Sequence, residues 1–156
     1  ALLAVEDFRV IDKLHLAIIN DEEEYKRGYG YGLDAIETNE EMITKFKNFL
    51  TKYKYPLVAH NATFDRSFLL HWGWIDEKRE FNCSLRSIRL KEKLKSYKLV
   101  DLLKHYEIKP DQDHNAINDV LDLLEVLRKV KIEKWISVNN ETSSNLKSTS
   151  NQLTSI

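Results

Sequence analysis

Residues 58–69 read Val58-Ala59-His60-Asn61-Ala62-Thr63-Phe64-Asp65-Arg66-Ser67-Phe68-Leu69, and the reading of this stretch decides the fold. Leu57, Val58 and Ala59 form a short apolar run after Pro56, which reads as a buried strand. Asn61 can cap the helix that follows. Phe64, Phe68, Leu69 and Trp72 then line one helical face until Gly73 closes it. The geometry implied is strand, sharp turn, helix. It puts Asp65 in about the first turn of a helix above a strand end, where open α/β sheets collect ligands. A single aspartate there also has an ordinary explanation, as a cap or a partner of the helix dipole.

A second stretch, His114-Asn115-Ala116-Ile117-Asn118-Asp119, opens the last long helix. Ala116, Ile117, Val120, Leu121, Leu124, Leu127 and Val130 recur at helical spacing, and Leu123 and Val126 widen the stripe enough to pack on a sheet. His114 and Asp119, five apart, would diverge by about 140° on an ideal helix. They converge on one site only if His114 lies in the preceding loop. Two carboxylates from different helices can hold divalent metal, and Mg²⁺ or Mn²⁺ suits oxygen ligands. Two such ions roughly 3.5–4 Å apart clamp the attacking and leaving oxygens of a phosphodiester. A neutral histidine beside them can take a proton from the attacking water.

Outward from these segments, Leu2–Val5 and the apolar residues between Val10 and Ile19 read as strands, with Glu6, Asp7, Asp12 and Lys13 as turn breaks. Asn20–Lys26 reads as an acidic loop, and Gly28, Gly30 and Gly32 as an exposed loop without a phosphate-binding pattern. Thr38-Asn39-Glu40-Glu41 has the form of a capping box before a helix with Met42, Ile43, Phe46, Phe49, Leu50 and Tyr53 on its apolar face. A short strand is expected around Phe81 to Ser84. Helices are then expected through Leu85, Ile88 and Leu94, and through Leu99, Leu102, Leu103 and Tyr106. Strands first, then helices interleaved with short strands, give an α/β domain with a mixed sheet. The domain is expected over residues 1–136. Residues 137–156, mostly Ser, Thr and Asn without periodicity, are expected to be a disordered tail.

Composition narrows the function. Of 156 residues, 42% are hydrophobic and 31% charged, as in ordinary globular domains. No apolar run approaches the roughly 20 residues that a membrane span needs. One cysteine, Cys83, excludes an internal disulfide and fits a reducing, cytoplasmic compartment. With 24 basic and 25 acidic side chains the chain lacks the strongly basic field of nonspecific nucleic-acid binders. Bound metal would supply the missing positive charge. Tyr29, Tyr31, Trp72 and Trp74 offer rings that can stack on bases or pack in loops.

At these residues the sequence resembles the DEDDh exonucleases, the superfamily of the proofreading epsilon subunit of DNA polymerase III. His60-Asn61-Ala62-Thr63-Phe64-Asp65 is similar to that family's second motif, and His114-Asn115-Ala116-Ile117-Asn118-Asp119 to its third. Cys83-Ser84-Leu85 is similar to the start of the family's next helix, and Leu99–Leu103 to the helix before the third motif. The resemblance implies a ribonuclease-H-like fold, a mixed sheet flanked by helices. It implies metal-dependent release of nucleotides from a 3′ end, with two Mg²⁺ or Mn²⁺ ions. Asp65 and Asp119 would be metal ligands, His114 the general base, and His60 and Asn61 would shape the substrate site. The partners implied are a single-stranded DNA or RNA 3′ end and a polymerase or other replication or repair protein, with no membrane.

The family's first motif, Asp-x-Glu in a first strand, has no match near the start. Glu6-Asp7 puts its carboxylates on adjacent residues, which in a strand point to opposite faces. Residues 4–15 fit better as the family's second and third strands, with the first strand upstream of Ala1. Three explanations compete: the chain is part of a longer one, the first motif has been lost, or another strand fills the gap. The function expected is a 3′→5′ exonuclease. The alternative is a catalytically inactive domain of the same fold that binds nucleic acid or protein. A purely structural α/β domain is the third reading.

Overall fold

The computed structural model of the chain describes residues 1–27, 35–110 and 115–140. The glycine- and tyrosine-bearing loop, His114 and the residues from 141 onward lie outside them. Two compact units divide the chain: Ala1–Phe49 with Leu99–Lys131, and Leu50–Lys98 with Ile132 onward.

In the first unit, β1 (Leu2–Glu6) and β2 (Arg9–Leu14) pair antiparallel, with Leu2 opposite Leu14 and Glu6 opposite Arg9. Asp7 and Phe8 make the turn, both at positive φ (49° and 62°). A two-residue turn with both centres left-handed matches the twist of its strands. The hairpin expected at Glu6-Asp7 is therefore present, whereas Asp12 and Lys13 sit inside β2 instead of breaking it. The strand stops at Leu14, short of the apolar residues up to Ile19.

The acidic stretch expected to be a loop forms a short helix, α1 (Glu22–Lys26). Asp21 accepts the Glu24 amide at 2.9 Å, and three glutamates sit at the positive end of the helix. Helix α2 (Glu40–Lys52) follows a 3₁₀ turn at Ile36–Thr38. Its cap is Asn39, whose Oδ1 accepts the Met42 amide at 3.1 Å. Thr38 instead donates its hydroxyl to the Ala35 carbonyl, so the expected capping box is displaced by one residue. Helix α6 (Ala116–Val130) packs against α5 (Leu99–His105) and β1, and Leu102, Leu103, Leu123, Leu124, Val126 and Val130 are buried.

The second unit is a β-α-β crossover with a third strand added. β3 (Leu57–Ala59) leads into α3 (Ala62–His71), then β4 (Phe81–Cys83) and α4 (Ser84–Lys91). β5 (Ile136–Ser137) returns beside β4. The order is β3-β4-β5, parallel then antiparallel, so this is a mixed sheet. Helix α3 packs on β3 and β4, and α4 on β3 and β5. The fold is α/β with a mixed sheet flanked by helices, the class the sequence implies. Ala62, Phe81, Cys83 and Val138 form its core, with Leu57, Ala59, Leu69, Ile75 and Leu85 against them. Each large apolar side chain buried this way contributes about 1.5–3 kcal/mol.

Helix α3 ends as expected at Gly73. The Gly73 amide bonds the Leu70 carbonyl and the Trp74 amide the Leu69 carbonyl, with Gly73 at φ 74°. That double bond pattern needs a left-handed residue, which glycine adopts without strain. The Arg79 guanidinium gathers the carbonyls of Leu50, Tyr53 and Tyr55 at 2.7–2.9 Å, closing the end of α2.

Three expectations change in this unit. β3 is not wholly buried, since Val58 is 37% exposed between half-buried neighbours. Helix α4 stops at Lys91, before Leu94. Ser137 to Asn139, assigned from composition to the tail, are part of the unit. Val138 is 1% exposed, its amide bonds the Phe81 carbonyl, and Asn139 accepts the Phe81 amide at 2.8 Å. One apolar residue with backbone pairing outweighs a polar local composition.

Candidate active site

β3 and β4 run parallel and end side by side at Ala59 and Cys83, and a helix starts just beyond each. Their carboxyl ends are tied together by side chains. Cys83 Sγ accepts the Ala62 amide at 3.4 Å and the Arg86 amide at 3.5 Å, so one buried sulfur serves the start of both helices. Ser84 Oγ lies 2.9 Å from His60 Nδ1 and 3.2 Å from the Ala59 carbonyl, and its one proton is shared between these two acceptors. His60 Nε2 donates to the Tyr97 carbonyl. Burial holds the His60 pKa below its usual value, opposed by that bond to Tyr97. The ring is neutral at neutral pH, and both its nitrogens are engaged in shaping the turn.

Asn61 occupies the residue before α3 but does not cap it. Its backbone is left-handed, at φ 62° and ψ 54°, and its side chain makes no capping bond. The side chain is exposed. Instead its carbonyl accepts the Phe64 amide at 3.2 Å. The turn from β3 into α3 is too sharp for the extended conformation that a capping asparagine needs.

Asp65 is the fourth residue of α3. Burial pushes its pKa up to about 6, only partly offset by its own backbone amide. The positive charge of the N-terminus also opposes the shift without cancelling it. A carboxylate still desolvated on balance can take a cation, and its hard oxygens match Mg²⁺ or Mn²⁺. The donor set thus fits a divalent ion at Asp65. Among the described residues no group of three or more His, Cys, Asp or Glu side chains comes together.

Asp119 is the fourth residue of α6, in the other unit, and is exposed. Asn115 caps α6 by accepting the Asn118 amide at 2.9 Å, with an extended backbone. His114 lies outside the described residues. The sequence reading passed over Ser84 and Tyr97 as positioning residues. Ser84 had a signal, standing where β4 gives way to a helix. Tyr97 had none, lying in a loop whose contacts are set by tertiary structure. It also passed over Asp122, which is 7% exposed one turn beyond Asp119.

Two curated proteins named DNA polymerase III PolC-type are similar to the chain. That of Thermotoga petrophila is 26% identical over 153 residues, which cover 87% of this chain and 11% of that protein. That of Caldanaerobacter subterraneus subsp. tengcongensis is 32% identical over 112 residues, 65% of this chain and 8% of that protein. The chain spans about a tenth of the length of these relatives. No solved structure matches. No helix among the described residues is long and apolar enough to cross a membrane. Residues 29–127, well over half of the chain, match the family described as Exonuclease, of the RNase T type, and the chain belongs to that family.

Proposed function

We propose that the chain is a metal-dependent 3′→5′ exonuclease domain that shortens a single-stranded nucleic-acid end, in the setting of DNA replication that its PolC-type relatives suggest. The observation that carries the reading is Asp65, a half-buried carboxylate with its pKa raised to about 6, at the carboxyl end of parallel strands. Asp65 and Asp119 would hold Mg²⁺ or Mn²⁺. The bound ions would supply positive charge to the phosphodiester and its leaving oxygen. His114 would take the proton from the attacking water, a task that suits an imidazole side chain. His60 holds the turn that aims Asp65, while Asn61 presents exposed backbone and amide to the substrate. The working domain is residues 1–136 with the few ordered residues after them.

A second reading is a domain that keeps the scaffold and binds nucleic acid or a replication protein without cutting; the observation behind it is that no group of three or more His, Cys, Asp or Glu side chains comes together among the described residues. The deciding experiment follows Mn²⁺-dependent release of label from a 3′-labelled single strand. It compares this chain with a form extended by its natural upstream sequence. Cleavage by the extended form, lost in Asp65→Ala, Asp119→Ala and His114→Ala, supports the exonuclease. No cleavage by either form, with the fold intact by circular dichroism, selects the binding module.

A further inference from the structure

Near-neutral net charge hides an uneven distribution. From Leu85 to Lys98 the chain carries Arg86, Arg89, Lys91, Lys93, Lys95 and Lys98 against one acidic residue, Glu92. All six basic side chains are exposed. The segment is α4 and the loop after it, and the loop is built around one side chain. Tyr97 donates its hydroxyl to the Glu92 carbonyl at 2.7 Å and accepts the Leu94 amide at 3.0 Å. Its ring takes the Arg89 guanidinium at 5.2 Å, and its carbonyl accepts from His60 Nε2. Arg86 Nη2 donates to Thr63 Oγ1 at 3.2 Å, two residues before Asp65. The basic segment is thus fastened at two points to the turn and helix that carry Asp65.

We infer that α4 and the 92–98 loop form the track for the phosphate backbone of a single strand whose end is delivered to the Asp65 turn. The inference rests on the exonuclease reading for the destination of the strand, and on this unit alone for the contact. Lysines spaced along a pinned loop suit a repeating row of phosphates. Arg89, stacked on Tyr97, keeps its charge while its plane is held. Glu92 turns its carbonyl into the loop, and Glu133 pairs with Lys91 at 4.0 Å, so two acidic side chains oppose the track. Sequence-independent binding through phosphates has a clear signature, a fall of affinity with salt whose slope counts the contacts.

The test uses the full chain, a short 5′-labelled oligothymidylate and EDTA to prevent cleavage, with binding read by fluorescence anisotropy across a salt series. The triple variant Lys93→Gln, Lys95→Gln, Lys98→Gln removes charges with no structural bond among the described residues. A control, Lys104→Gln, Lys109→Gln, Lys129→Gln, makes the same charge change on exposed lysines of the other unit. Thermal melts check that all three proteins are folded. The track variant is expected to lose about 2 from the salt slope, at about 0.7 per phosphate on a single strand, and about 10- to 100-fold in affinity near 0.1 M salt. The control is expected to bind like the parent. An unchanged slope in the track variant, equal losses in both variants, or a parent that does not bind overturns the inference. Binding through the track, with no cleavage under Mn²⁺ by this chain or by its extended form, leaves it standing and removes the exonuclease reading. Cleavage with an unaltered slope does the reverse.

Discussion

The same pattern, His-Asn-Ala-x-x-Asp, opens two helices in this chain and folds differently each time. At residues 60–65 the asparagine is left-handed, leaves the helix uncapped by its side chain, and the aspartate is half-buried with a raised pKa. At residues 115–119 the asparagine is extended, caps its helix, and the aspartate is exposed. Asn61 comes two residues after β3 and must reverse direction at once, whereas the described element before Asn115 is helix α5. A local pattern therefore identifies the residues of a site without stating how each is held. The two aspartates should act alike in chemistry and oppositely in stability.

That contrast breaks first at the level of activity. In the upstream-extended form, Asp65→Asn and Asp119→Asn should each lower Mn²⁺-dependent cleavage by about 10³-fold or more, because each removes charge stabilisation worth several kcal/mol. Retention of parent activity by either variant removes that residue from the site. The next effect is on stability without metal. At neutral pH the ionised Asp65 costs folding free energy, since its pKa rises from an ordinary 3.8 to about 6. Asp65→Asn should stabilise the metal-free chain by up to about 3 kcal/mol in urea melts at pH 7. Asp119→Asn should cost no more than about 1 kcal/mol, the loss of a charge at a helix start.

The sign of the pH dependence follows from the same shift. A carboxyl whose folded pKa is raised holds its proton more tightly when folded. The Asp65 cost is full above about pH 6, is relieved as pH falls, and is gone below about pH 4. His60 runs the other way. Its folded pKa is lowered, so its stabilisation is complete above about pH 6.5 and is lost on acidification. The parent alone would mix the two. The difference between parent and Asp65→Asn isolates the carboxyl, and should shrink from pH 7 to pH 4.5. A constant difference would falsify the buried-charge account. Replacing His60 by Ala should cost about 2 kcal/mol, because the Tyr97 carbonyl loses its partner and the Ser84 hydroxyl one of its two.

Element order was largely legible because hydrophobic spacing and breakers are local signals. Gly73 and the stripe of α6 each mark what they are expected to mark. What escaped the reading was set at a distance. Val138 is ordered by pairing with Phe81, fifty-seven residues earlier, and nothing in the polar sequence around it says so. The Asn39 cap displaced Thr38 because a 3₁₀ turn, invisible to periodicity, occupies the position before α2. Asp65 and Asp119 could be named from their pattern. The burial of one and exposure of the other could not, since that depends on what packs over each helix start.

The smallest effect is also the cleanest version of the comparison. Glycine at both asparagine positions should change stability in opposite directions. At residue 61 the backbone sits at φ 62°, where an L residue other than glycine is disfavoured, and the side chain makes no cap bond that would offset it. Asn61→Gly should therefore stabilise by up to about 1 kcal/mol, the amount gained at sites whose backbone already suits glycine. At residue 115 the backbone is extended and the amide oxygen holds the Asn118 amide. Asn115→Gly should cost a few tenths of a kcal/mol and Asn115→Ala about 1 kcal/mol. Asparagine tolerates the left-handed region better than most residues, so the Asn61 gain is the harder one to resolve. Equilibrium urea melts of the three variants on one day, with the denaturant slope held common, have the precision to separate them. A loss of stability in Asn61→Gly would mean that its side chain holds the turn after all, and the contrast between the two helix starts would collapse into one capping motif used twice.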